Sequence, residues 1–311
     1  MNLRPVEVGT LIYLGWLNTV LVLFSQSVSR WLLFFVLHLA VAAGVILLAC
    51  IERQTRWTAL GWLRRWHFLL LFIFFFEEIH HVVHLIWPGW FDHWLITLDF
   101  AVWSAHPTIW LERWVHPLLN EVMQAAYTSY FFLLPSLGLY LERRRDRGGV
   151  ELVMTATAFS YYICYVIFLL FPIESPYHSL AALQQIPHLE GPFFTRLINW
   201  VEGFGRVHGG AFPSAHVAGA SVVLLAAWRL ARPLFWVYLP LVTCLYASTV
   251  YGRYHYFADV VAGIVVAFVG FWVADAVAGK SPVACRLSPA SRESGVGGQS
   301  NRSTATELAD C

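Results

Sequence analysis

The sequence predicts an all-α, polytopic membrane protein. Two features of composition and one of pattern carry this. Of the 311 residues, 58% are hydrophobic and 13% are charged, whereas a soluble domain is nearer half apolar and a quarter charged. There are 15 Trp, 13 Tyr and 23 Phe, as suits aromatic belts at the two membrane surfaces. The apolar residues fall in runs of about 20, the length that crosses a bilayer as a helix. Helix is the default in such runs because backbone facing lipid must satisfy its own hydrogen bonds. A net charge of +1 gives no bulk electrostatic case for nucleic-acid binding.

Eight spans follow in order, near 9–26, 31–51, 66–87, 117–141, 150–172, 212–230, 233–252 and 257–278. The first is read as a retained span, since no small-residue cleavage site stands out behind it. The third is unusual, because its second half carries Glu77, Glu78, His80, His81 and His84. The chain divides into an N-terminal hairpin (1–65), a catalytic membrane domain (66–278) and a polar, Gly/Ser-rich tail (279–311) expected to be disordered. No internal repeat is visible. Cys50, Cys164, Cys244, Cys285 and Cys311 show neither ligand nor disulfide spacing and read as packing residues.

Basic residues set the orientation. With the N-terminus cytoplasmic, 15 of the 20 Lys and Arg fall on the inner side, as the positive-inside rule asks. Arg30, Arg113, Arg196, Arg206 and Arg253 fall outside. Two longer segments then lie outside, near 88–116 and 173–211. The first contains DHWLITLDFAVW, which suits a helix lying in the interface. The second is rich in Pro and Gly and reads as a loop or lid.

The stretch STVYGRYHYFADVVAG (248–263) places His255 and Asp259 four residues apart, on one face of a helix. An aspartate there can fix the imidazole tautomer and leave the other nitrogen free to act. Arg253 adds a permanent charge with a fork suited to phosphate oxygens. The stretch GGAFPSAHVAGA places His216 at the outer start of the sixth span, with Pro213 near the first turn and Ser214 as a cap or phosphate donor. The topology brings His216, His255 and Asp259 to one depth on one side. Two histidines, an aspartate, an arginine and a helix N-terminus fit phosphoryl transfer, in which one imidazole attacks phosphorus and another protonates the leaving oxygen. Arginine and backbone amides hold the equatorial oxygens. His93, His106, His116, His188 and His208 read as interfacial residues.

The pair GAFPSAH and RYHYFADVVAG resembles the second and third motifs of the type 2 phosphatidic acid phosphatase superfamily, membrane relatives of the vanadium haloperoxidases. The phrasing is nearest the inositol phosphorylceramide synthase-like branch. The resemblance is good over about 170–265, and looser over LDFAVWSAHP and NEVMQAAYTSYFFLLP, the latter with Glu121, Tyr127 and Tyr130. It implies a six-helix catalytic core. His255 would be the nucleophile that forms a phosphohistidine, oriented by Asp259. His216 would be the acid, and Ser214 with its neighbouring amides would hold phosphate. No metal and no cofactor would be required. The implied substrate is a lipid phosphate, either a phospholipid or an isoprenoid phosphate. Two departures stand out. FPIESPYH (171–178), at the place of the first motif, has no Lys or Arg, so His178 or Tyr177 would substitute. The arginine usual six residues before the third-motif histidine is Thr249, and Arg253 lies nearer.

Two other classes compete. The segment FEEIHHVVHLIW offers Glu77, His80, His81 and His84 for a metal-dependent oxidase or hydroxylase, although no second Glu-x-x-His motif partners it. A non-enzymatic transporter would use Glu121 as a proton carrier. The sequence sets no oligomeric state.

Overall fold

The computed structural model describes residues 3–55, 58–202 and 208–278. Every regular element among them is helical, so the protein is an all-α polytopic bundle. The expected tail, 279–311, lies outside the described residues.

The first long helices run α1 (Pro5–Leu23), α2 (Trp31–Thr55), α3 (Thr58–Trp66) and α4 (Phe68–Val82). Proline in the first turn opens α1, where its missing N–H costs nothing, and Glu7 Oε2 accepts the Arg4 N–H at 2.7 Å. The span expected at 66–87 is α3 and α4 together, displaced towards the N-terminus. Apolar content alone missed α3, which carries Arg64 and Arg65. At the junction His67 Nδ1 bonds the Arg64 carbonyl at 2.8 Å.

The interfacial segment forms α5 (Asp92–Trp103) and the short α6 (Pro107–Trp110), then come α7 (Pro117–Arg143) and α8 (Arg147–Leu170). A one-turn helix, α9 (Pro176–Ser179), and α10 (Phe194–Glu202) lie in the second connecting segment. The chain closes with α11 (Ala215–Leu230), α12 (Arg232–Tyr251) and α13 (Phe257–Ala278).

Six helical stretches among the described residues are long and apolar enough to cross a bilayer: α1, α2, α3–α4 (Thr58–Val82), α8, α12 and α13. The two remaining expected spans correspond to α7 and α11, which fall short for different reasons. The 27 residues of α7 are ample in length, but it turns polar groups such as Asn120 and Gln124 into the protein interior. The 16 residues of α11 extend only about 24 Å, less than the ~30 Å hydrocarbon core. Its Ala215, Ala218, Ala220, Ala226 and Ala227 are all buried. Between helices in lipid, small residues promote association by close packing rather than by hydrophobic burial, and α11 packs against α7, α8, α12 and α13.

The centre of the bundle is α8, which touches α1, α4, α7, α11 and α13 and buries Tyr161, Tyr162, Tyr165 and Phe168. A polar clamp lies among α1, α2 and α4. His38 is fully buried there, with Nδ1 2.7 Å from Asn18 Oδ1 and Nε2 2.7 Å from Glu78 Oε1.

Successive long helices alternate in direction, which gathers two unlike ends. One end holds ion pairs: Arg64 with Glu7 at 2.5 Å and Glu52 at 2.6 Å, Arg4 with Glu52 at 3.2 Å, and Arg65 with Glu142 at 2.6 Å. The other gathers the starts of α7, α11 and α13, the ends of α4, α8 and α12, and the segments 88–116 and 173–202.

Candidate active site

Two helix starts build the site. Ser214 caps α11, its Oγ accepting the Val217 N–H at 3.3 Å. Pro213 therefore precedes the cap rather than opening the first turn. At the start of α13, Asp259 Oδ2 accepts the Tyr256 N–H at 2.7 Å, a third-position carboxylate reaching back to the cap. The starts are stitched together by the Ser214 N–H, which donates to the Asp259 carbonyl at 3.1 Å. Gly263 makes the approach possible: a Cβ there would stand 2.6 Å from the Ser214 carbonyl oxygen.

The stitching brings the expected residues together. The His216 and His255 rings lie 5.8 Å apart, centre to centre. His255 is 3% exposed. Its Nδ1 donates to the Ala211 carbonyl at 2.8 Å and stands 3.4 Å from Asp259 Oδ2. A carbonyl can only accept, so Nδ1 carries the proton and Nε2 the lone pair. Asp259 had been expected to fix this tautomer; the closer partner is the Ala211 carbonyl. The second carboxylate oxygen, Oδ1, is buried with no hydrogen-bond partner among the described residues. Burial, reinforced by the charge of His216, pulls the pKa of His255 down to about 3, against the opposing effect of the Ala211 bond. The ring is neutral over the ordinary pH range.

His216 Nε2 is 3.0 Å from the Tyr127 hydroxyl. Tyr127 stacks on Tyr254 with ring centres 4.4 Å apart. Tyr254 in turn lines a cavity of about 390 Å³ together with Gln124, Tyr177, His178, His188 and Arg253. Gly209 positions the loop that carries Ala211. It takes φ +90°, and a Cβ there would collide with Val83.

The two remaining expected residues sit at the margin. Arg253 is buried and takes a left-handed φ of 62°. Its guanidinium bonds Glu112 Oε1 at 2.9 Å, Gln184 Oε1 at 2.9 Å and the Ile186 carbonyl at 2.5 Å. These bonds tie the turn before α13 to both connecting segments. The ring of His178 packs on that of His208, centres 4.6 Å apart. At Thr249, the backbone carbonyl accepts the Tyr254 and His255 N–H groups at 3.0 and 3.1 Å.

Helix α5, expected to lie in the interface, also contributes to the site. Asp99 accepts the N–H groups of Phe257 and Ala258 at 2.8 and 3.0 Å, capping α13 from outside. Asp92 accepts the Glu174 N–H at 2.9 Å and the Tyr256 hydroxyl at 2.8 Å. The sequence held a sign of this, since two aspartates seven apart share one face of an apolar helix. Asp99→Ala is expected to destabilise the protein by about 1–2 kcal/mol, measured as a shift in thermal unfolding, with reduced turnover.

Of the rival cluster, His80 and His81 lie 5.3 Å apart between ring centres, His81 also packs beside Phe34, and His84 Nδ1 bonds the Trp87 carbonyl at 2.9 Å. The neighbouring Glu78 pairs with His38. Glu121, the residue a transporter reading would use, accepts the Phe194 and Thr195 N–H groups at the start of α10 at 2.7 and 2.9 Å.

The apolar helical bundle and the family comparison support a membrane protein of the phosphatase type. The sequence model of the PAP2 superfamily matches residues 93–273, more than half of the chain, and the chain belongs to that superfamily. No curated protein and no solved structure matches it.

Proposed function

We propose that this protein transfers a phosphoryl or phosphorylated head group from a phospholipid or isoprenoid phosphate through a phosphohistidine at His255. The observation that carries the reading is the Ala211–His255 hydrogen bond beside His216, which leaves Nε2 of a neutral, buried imidazole with its lone pair available. Nε2 attacks phosphorus, the P–O bond to the leaving group breaks, and His216 donates the proton that the leaving oxygen needs. Water or an alcohol then attacks phosphorus, the P–N bond to His255 breaks, and His216, left neutral by the first step, takes the proton of the attacking O–H. The imidazolium formed at His255 is stabilised by Asp259, whose Oδ2 stands 3.4 Å from Nδ1.

The Ser214 and Val217 N–H groups are spent at the helix start. The Ala215 and His216 N–H groups of the first turn would therefore face the phosphate, with the Ser214 hydroxyl as a further donor. Arg253 and His178 act as positioning residues, because their side chains are engaged with Glu112, Gln184 and Ile186 and with His208. The basic-residue count supports a site on the extracytoplasmic face with both termini in the cytoplasm. The motif phrasing favours the inositol phosphorylceramide synthase-like branch, in which an alcohol is the acceptor.

The test is a screen of lipid phosphates with purified protein in detergent, following free phosphate and new phosphorylated lipid together. Phosphate alone marks a phosphatase and a phosphorylated acceptor marks a transferase; neither product from any lipid phosphate would sink the reading. The depressed pKa gives a further expectation. A lowered histidine pKa favours the neutral form, so the nucleophile is lost only as pH falls towards about 3. Rapid-quench labelling should show phosphohistidine formation persisting below about pH 6.5, where an ordinary histidine is half protonated.

A further inference from the structure

A group of metal-ligand side chains stands beside the catalytic pair and belongs to neither of its helices. Glu174, His178 and His208 each bring one donor atom within 4.8 Å of the others, and all three are partly exposed. Glu174 Oε1 and His208 Nδ1 are already 2.9 Å apart. The His178 ring packs on His208, and a third imidazole, His80, lies 5.8 Å from His208 between ring centres. Three imidazoles and one carboxylate thus converge on one spot, and the carboxylate disfavours an anion there. A divalent cation satisfies all of them at once.

We propose that Glu174, His178 and His208 form a binding site for a zinc-class transition-metal ion, with His80 within reach as a fourth ligand. Two imidazoles and one carboxylate suit zinc and its neighbours, whereas magnesium and calcium prefer oxygen alone. Tetrahedral zinc needs donors about 3.3 Å apart, so closure asks for side-chain rotation of roughly an ångström. The backbone is held for this. The Glu174 N–H donates to Asp92, and the Ile173 carbonyl accepts the Ala211 N–H at 3.4 Å. The ion would cross-link the segment after α8 to the loop carrying Ala211, whose carbonyl orients His255. It is a brace for the catalytic loop and takes no part in bond making, so the site stands independently of the proposed reaction.

Tag-free, full-length protein in detergent, stripped with chelator, is dialysed against Zn2+ and assayed for bound metal. One Zn2+ per chain is expected, with no displacement by equimolar Mg2+ and a higher unfolding temperature. His208→Ala and Glu174→Gln should each weaken Zn2+ binding at least about tenfold, while His255→Ala binds as the parent does. Absence of stoichiometric Zn2+ binding overturns the site, as does unchanged affinity in both His208→Ala and Glu174→Gln. Loss of binding in His255→Ala would move the ion to the catalytic pair and overturn it equally. Because the readout is bound metal, an inactive but zinc-binding protein would leave this site standing while the reaction fell.

Discussion

His255→Ala is expected to remove phosphoryl transfer, lowering kcat on the order of 10⁴-fold or more, with no labelled phosphohistidine on rapid quenching and unchanged thermal stability. The two histidines can be separated by choice of leaving group. A leaving group of low pKa departs without a proton, so His216→Ala should still form phosphohistidine from an aryl phosphate while failing on an alkyl phosphate. His255→Ala should fail on both. Asp259→Asn gives a third outcome. Where an acid alone fixes the histidine tautomer, its amide costs about 10⁴-fold. Here the Ala211 carbonyl already holds the Nδ1 proton at 2.8 Å, so the loss should be nearer 10²-fold. Full activity in either histidine variant would remove the assignment.

The part of this site that was legible in the sequence is the part built within one motif. His255 and Asp259 are an i, i+4 pair and Ser214 is a cap two residues before His216, so helical geometry alone relates them. The meeting of His216 with His255 needed only the topology of the spans. What stayed hidden depends on backbone atoms or on distant chain. The Ala211 carbonyl that orients His255 has no side-chain signature. Asp99 reaches Phe257 and Ala258 across more than 150 residues, and an aspartate on an apolar helix does not name its partner. His208 reads as one more interfacial ring until the fold sets it beside Glu174 and His178. In the fold, the misjudged elements are those where hydropathy departs from architecture. Helix α3 runs on into α4 as one candidate span, Thr58–Val82, despite its arginines, and α7 turns polar side chains into the interior.

Arg253, the residue expected to bind phosphate, is engaged by other side chains and backbone of the protein itself. Its guanidinium is bound by a carboxylate, an amide oxygen and a carbonyl at 2.5–2.9 Å. Its side chain is 3% and that of Glu112 8% exposed. Removing one member of a buried pair strands the other charge, at a cost of about 3–5 kcal/mol. Arg253→Ala is therefore expected to lower the unfolding temperature sharply. Arg253→Lys should recover only part, because an ammonium cannot span three acceptors with a planar fork. The double variant Arg253→Met with Glu112→Gln removes both charges and should regain most of the stability. The kinetics of that double variant separate the two roles. If Arg253 held phosphate, the refolded double variant would stay inactive or show a KM raised by orders of magnitude. If Arg253 braces the turn that presents His255, activity returns with stability and KM changes little. The geometry favours the second outcome, since the bonds that fix Arg253 also fix the connecting segments around the cavity.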